Sequence, residues 1–543
     1  MNLVKVIFPR NIYRFYSIRM ELSNLFHSLP WYKPDWCYPS MSKENYELLK
    51  QCNDLPKTEF SDDIEDIINR SKNFSIPFPI ESVRLDKLKK HRPIDRLKKN
   101  ISGTYPIIHE RILMLLTHFL LYKREFGSSI EKAFYKDMTI PELIDRLLLK
   151  RAVSFMGELD SYLLLSGESG EDGWENVGTL QQRPPLLLEN VLSYDEMKLS
   201  AFLFVSGPTE CINDGSRHNS GVVKDDDIEQ EAIIIGAIGP RFERTNRMDY
   251  EDIVISSTQN SEERGYGEHV TPTTCLHVLR HTYTRDASLA KHAWRQLWAE
   301  LYQVHSYTYE ELSARLAGAA SDRYVKLPRG GAWFDNEVYY KRICILAETV
   351  LLEAEGRARG RSVFLNVVGC GLGVWKISPH QADVYVLTFL DRIRAMLKRE
   401  AINHITDVNF AYIRASDNVT ALFTKTNEIE NSTSTVKSLF IANKKHPRGG
   451  VSVQLEDREP ASVLSGRHRG KLLVLIYPWD GNAHPGNEFW LGSLTGSGDP
   501  AAACSTQVAE LHNAHVNPRV AAANTRVAAH AAVLPLRDCA ERP

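Results

Sequence analysis

The chain has 543 residues, of which 43% are apolar and 25% charged, with a formal net charge of −2. That length exceeds one ordinary hydrophobic core and predicts roughly two to four domains of a globular protein. Near-neutral charge argues against a dedicated nucleic-acid binder, which needs a basic surplus to neutralise phosphates. No apolar run reaches the roughly 20 residues of a membrane span, and the eight cysteines are scattered without a CxxC pair, as in a reducing compartment.

In chain order, residues 1–20 carry Lys5, Arg10, Arg14 and Arg19 with no acid, and Arg14-Phe-Tyr-Ser17 resembles a mitochondrial processing site. Such a segment is transit-like, so the expected location is the cytoplasm, with the mitochondrial matrix as the alternative. Residues 21–205 read as a mainly helical region. Pro141 opens a helix through Leu149, at a position where its missing N–H costs little, and Ile112–Leu121 reads as a core helix. Residues 206–230, rich in Gly, Ser, Asn and Asp, read as a linker.

From residue 231 to 518 strands and helices alternate, which predicts an α/β domain with a mainly parallel or mixed sheet. The expected strands are Ile233–Ile238, Ile253–Ser256, Ser362–Val368, Val408–Ile413 and Lys471–Ile476; the expected helices are Ser288–Gln303, Asp335–Glu355 and His380–Arg399. Residues 519–543 are Ala/Val/Arg-rich without periodicity and read as a disordered tail.

Three segments could carry chemistry. In the first, an apolar strand ends in Gly369-Cys-Gly-Leu-Gly-Val-Trp375, and Ser378 and Pro379 look like the cap and first residue of the next helix. Glycines let backbone N–H groups turn toward an anion, and a helix N-terminus favours negative charge. A tight strand-to-helix turn is the plain alternative, and Val374 stands where a dinucleotide fingerprint needs glycine. In the second, Gly330–Gly331 precedes Asp335, Asn336 and Glu337 at a helix start, with Asp322 upstream. First-turn acids often only complement the helix dipole, whereas two convergent carboxylates can divide acid and base roles. In the third, Asp480, Asn482, Asn487 and Glu488 share a loop after the strand Leu472–Ile476, at the strand end where α/β sheets hold ligands. Asx residues also favour turns for local reasons. Thr495–Thr506 feeds a further helix with Asp499 and Pro500 at its start.

Other motifs fail. His277 and His281 have metal-ligand spacing but lack the zincin glutamate, there is no GxSxG elbow and no Walker lysine, and nothing marks Cys370 as activated.

Together, the Gly330–Gly331/Asp335-Asn-Glu segment, the Gly369–Trp375 loop and the Trp479–Glu488 loop resemble the divergent macrodomain-like ADP-ribosyl hydrolases, the family that includes the Legionella effector MavL. The resemblance covers roughly residues 230–518. It implies a macrodomain-like three-layer α/β/α sandwich with a mixed sheet and hydrolysis of ADP-ribose from a modified arginine, on ubiquitin in the effector's case. It also implies that Gly369, Gly371, Leu372, Gly373, Val374 and Trp375 hold the diphosphate, and that Asp335 and Asp322 are catalytic. Gly330, Gly331, Asn336, Asp480, Asn482, Asn487 and Glu488 complete the ADP-ribose site in this reading. No cofactor, metal, nucleic acid or membrane is implied; the partner is an ADP-ribosylated protein. A non-catalytic ADP-ribose reader would share the phosphate loops without the aspartates.

Overall fold

The computed structural model describes residues 22–55, 60–268, 282–317, 321–328, 330–427, 435–479, 486–494 and 498–539. Eleven strands form one mixed sheet: β1 (Tyr105–His109), β2 (Leu203–Glu210), β3 (Glu231–Ala237), β4 (Val363–Val367), β5 (Ile405–Phe410), β6 (Thr424–Asn427), β7 (Thr435–Ala442), β8 (Gly450–Leu455), β9 (Leu472–Pro478), β10 (Arg526–Ala529) and β11 (Ala532–Pro535). Their order across the sheet is β6-β7-β8-β5-β4-β9-β3-β2-β1-β10-β11. The inner set β8, β5, β4, β9 and β3 is parallel throughout. β2 pairs antiparallel with β3, and β1 with β2. The parallel strands carry near-continuous apolar runs, such as Leu473–Ile476 and Ile233–Ile235, as strands covered on both faces require. The protein is therefore α/β with a large mixed sheet.

Five helices matter most to the argument: α1 (Glu110–Phe126), α2 (Thr282–Tyr302), α3 (Asn336–Arg357), α4 (Gln381–Lys398) and α5 (Gly498–Ser505). α3 is buried on nearly every side and packs against β1, β3, β4, β10 and α4. Its charged residues are paired internally: Arg342 Nε donates to Asp249 at 2.9 Å and Arg357 Nε to Glu353 at 2.6 Å. Breaking a buried pair of this kind typically costs about 3–5 kcal/mol, because one charge is left uncompensated. No helix among the described residues is long and apolar enough to cross a membrane.

Several boundaries differ from the sequence reading. The expected linker 206–230 begins within β2, which joins the central sheet. The mainly helical region contributes β1, and it also holds a small sheet of Ser154–Met156, Ser161–Leu163 and Ser169–Gly170. Residues 519–543 are not a disordered tail among the described residues: β10 pairs in parallel with β1, and β11 with β10. An unpaired β1 edge would expose its N–H and C=O groups, and Val527 and Ala528 are fully buried against it. Val254–Ile255, the core of one predicted strand, belongs to a separate sheet with Tyr324–Lys326 and Trp333–Asp335. The residues of the possible targeting segment and of the His277/His281 pair lie outside the described residues.

Deleting residues 526–543 is expected to lower the unfolding temperature and promote self-association, because the β1 edge loses its cover; an unchanged, monomeric scan would refute that pairing. A second expectation concerns His512. It is buried and held neutral, its pKa pushed down to about 3 by burial and by nearby Arg357. The unfolded chain takes up that proton near pH 6.5, so stability is lost as pH falls below that value, by about 2 kcal/mol at pH 5. His512→Gln should flatten the dependence of denaturant midpoint on pH between 6.5 and 4.5.

Candidate active site

Because β5, β4, β9 and β3 run parallel, the segments leaving their carboxyl ends emerge at one sheet edge, where open α/β sheets bind ligands. A cavity of about 600 Å³ lies there, within the usual range for a small-molecule site. Its wall combines Gly369, Gly371, Leu372, Gly373, Val374 and Trp375 after β4, Tyr412 after β5, and Pro478, Trp479 and Glu488 after β9. One side is closed by α5, whose small residues Ala501, Ala502 and Ser505 leave the space open. Arg217 also lines it.

The glycine loop is built for close approach. Gly371 has φ +78, and a Cβ there would meet the Pro240 carbonyl oxygen at 2.9 Å. Gly239, just after β3, packs on the same turn: a Cβ would lie 2.2 Å from the Cys370 carbonyl carbon. The β3 and β4 loops therefore touch backbone to backbone. Within the turn, Leu372 N–H donates to Gly369 O and Lys376 N–H to Gly373 O. The N–H groups of Gly371, Gly373 and Val374 have no acceptor among the described residues, and all three residues line the cavity. Such a run of free N–H groups makes an anion-binding concavity.

The helix start differs from the reading. α4 begins at Gln381, not at Ser378-Pro379, because the Gln381 side-chain oxygen accepts from Ile377 N–H and Ser378 N–H, both at 2.8 Å. Those amides are consumed inside the protein and are not offered to the cavity.

Of the other residues singled out, Glu488 lines the cavity. Asn487 is buried, and its side-chain oxygen accepts from Phe155 N–H at 2.7 Å, a structural bond. Asp480 and Asn482 lie outside the described residues. The second segment does not reach this cavity. Gly330 and Gly331, with φ +73 and +66, make the turn between the antiparallel strands Tyr324–Lys326 and Trp333–Asp335, a use that demands glycine on its own. Asp335 caps α3, accepting from Glu337 N–H at 2.9 Å. Both its oxygens also receive the Arg323 fork, at 3.1 and 2.7 Å, and such bidentate pairing satisfies a carboxylate. Asn336 is fully buried and donates to Asp322 O. Asp322 stands apart from the wall, its carboxyl pushed up by partial burial.

Residues the sequence reading passed over complete the site. Tyr412 is half exposed, with φ +59, an uncommon conformation for an aromatic residue. It is held there by Asp457, which accepts its N–H at 2.8 Å, and by Glu459, which accepts its hydroxyl at 2.8 Å. Burial and the Glu459 hydrogen bond push its phenol up to about 12, so the hydroxyl stays protonated. Strain of this type clusters at ligand clamps. The sequence reading placed it inside the expected strand Val408–Ile413, whereas the observed strand ends at Phe410 and leaves it in the following loop.

The model of the MavL-like ADP-ribosylhydrolase family matches residues 65–542. That span begins well before residue 231 and ends past residue 518, as the shared sheet requires. The chain is similar to ADP-ribosylarginine hydrolase CG3568 of Drosophila melanogaster, 39% identical over 479 residues, covering 87% of this chain and 86% of the relative. It is also similar to ADP-ribosylarginine hydrolase CG2909 of the same fly, 36% identical over 487 residues, covering 89% and 90% respectively. On matches of this extent, the chain belongs to the MavL-like ADP-ribosylhydrolase family.

Proposed function

We propose that this protein hydrolyses the N-glycosidic bond between ADP-ribose and an arginine side chain of a modified protein, and that its sheet is a macrodomain-like sandwich. The observation that carries the reading is the glycine turn Gly369–Val374, whose Gly371, Gly373 and Val374 N–H groups find no acceptor among the described residues, on the wall of a cavity large enough for a nucleotide. Sheet order arranges the ligand. The β4 glycine loop lies between Tyr412, after β5, and Trp479 and Glu488, after β9. A diphosphate on the glycines then directs the adenine toward the Tyr412 ring, where stacking is favourable, and the distal ribose toward Glu488. Arg217 supplies a positive charge on the cavity wall.

Breaking the bond builds positive charge at the anomeric carbon, which a carboxylate stabilises while water adds from solvent. The proton of that water ends on the departing guanidine. We assign the carboxylate role to Glu488, because it lines the cavity whereas Asp335 is saturated by Arg323 and the helix start. Ubiquitin is the first protein substrate to try.

The test is release of ADP-ribose, read by mass spectrometry, from arginine-linked and glutamate-linked protein; release from arginine alone is expected. Glu488→Gln should slow turnover about 100-fold or more. Asp335→Asn keeps a cap oxygen for the start of α3 but loses the charge that meets the Arg323 fork, so it should lower thermal stability and leave turnover within about threefold. A folded Asp335→Asn protein that binds ADP-ribose but cannot cleave it would return the catalytic role to Asp335. Gly239→Ala should abolish ADP-ribose binding by forcing the two loops apart. Binding without turnover on either linkage would make the protein a reader.

A further inference from the structure

Two segments of the cavity wall are tied to a single structure outside it, the small sheet that begins at Ser154–Met156, one of them through Glu243. Trp375, at the end of the glycine loop, is buried and lines the cavity. Its indole Nε1–H donates to Glu243 Oε2 at 3.2 Å. The other oxygen of that carboxylate accepts the N–H of Gly157, at the tip of the small sheet, at 2.9 Å. Glu243 itself sits in the segment after β3 that carries Gly239. Two residues before Gly157, Phe155 N–H donates to Asn487, the neighbour of Glu488. Arg244 completes the contact, donating to Glu158 O and facing Asp160 at 3.4 Å.

We infer that Glu243 is a positioning residue: its carboxylate clasps Trp375 to the small sheet and so holds the glycine loop in the shape that receives the ligand's diphosphate. The inference rests on the ADP-ribose reading above and deepens it. A carboxylate suits the place because it can accept two N–H bonds at once, one per oxygen, and has no donor of its own. A glutamine there turns an N–H group toward one of the two donors and loses that bond. Charge-assisted bonds are roughly twice as strong as neutral ones, so the loop would sample other conformations, and apparent affinity falls with the population of the competent one. Glu243 does not line the cavity, so its effect should appear in binding and not in the bond-breaking step.

The experiment is calorimetry with ADP-ribose and steady-state kinetics on arginine-linked protein for wild type, Glu243→Gln, Trp375→Phe and the double variant. Glu243→Gln is expected to raise Kd and KM about tenfold with kcat within about twofold. Trp375→Phe removes the indole donor together with part of the ring that lines the cavity, and should weaken binding in the same direction. In the double variant Glu243→Gln should add little, since coupled residues are not additive. Unchanged Kd in Glu243→Gln, full additivity, or loss confined to kcat would overturn the inference while leaving the ADP-ribose reading intact. Should Glu243→Gln fail to fold, Trp375→Phe with unchanged Kd would overturn it equally. Wild-type protein that does not bind ADP-ribose would overturn both.

Discussion

Parallel alignment of β5, β4, β9 and β3 is the constraint on which the site depends. Parallel strands release their chains at a common edge, so four segments far apart in sequence must emerge side by side. These strands are buried on both faces, so a slip of one residue would exchange the side chains packed on the two helical layers and disrupt both. With the register fixed, the glycine loop has Tyr412 on one side and the β9 exit on the other. The backbone contact of Gly239 with Cys370 then fixes how far apart two of those segments stand.

α3 anchors this edge from beneath. It is buried on nearly all sides and carries charges that find partners inside the fold. Asp335 begins that helix, and its carboxylate is engaged by Arg323 and by two N–H groups of the first turn. In the segment that looked most like acid–base machinery, Asp335 thus caps a helix and pairs with Arg323. The cavity carboxylates, Glu459 and Glu488, come from other loops.

Much of the parallel core was legible from local pattern. β3, β4 and β9 are short β-branched runs bounded by glycine or proline, and α3 and α4 lie within two residues of their expected ends. β2 was hidden because Gly207-Pro208 reads as a loop, yet Pro208 sits in a ladder opposite Ile233. β10 was hidden because an Ala/Val/Arg run has no periodicity, and its partner β1 lies far upstream. The glycine turn was visible because its three glycines lie within five residues of the chain. Tyr412, Arg217 and the small face of α5 were not, because only the folded sheet brings them together. Gly330–Gly331 is ambiguous in sequence for a physical reason: the same left-handed conformations serve a hairpin turn and an anion cradle.

The pairing of β1 with β10 joins segments some four hundred residues apart. At about 5–20 residues per second on the ribosome, β1 waits tens of seconds for the strand that covers it. During synthesis the nascent chain presents a bare template to neighbouring polypeptides, and non-local pairing of this sort also slows closure once synthesis ends. The cell that makes this protein must shield that border with a chaperone or accept losses to aggregation, a demand set by topology and independent of the catalytic chemistry.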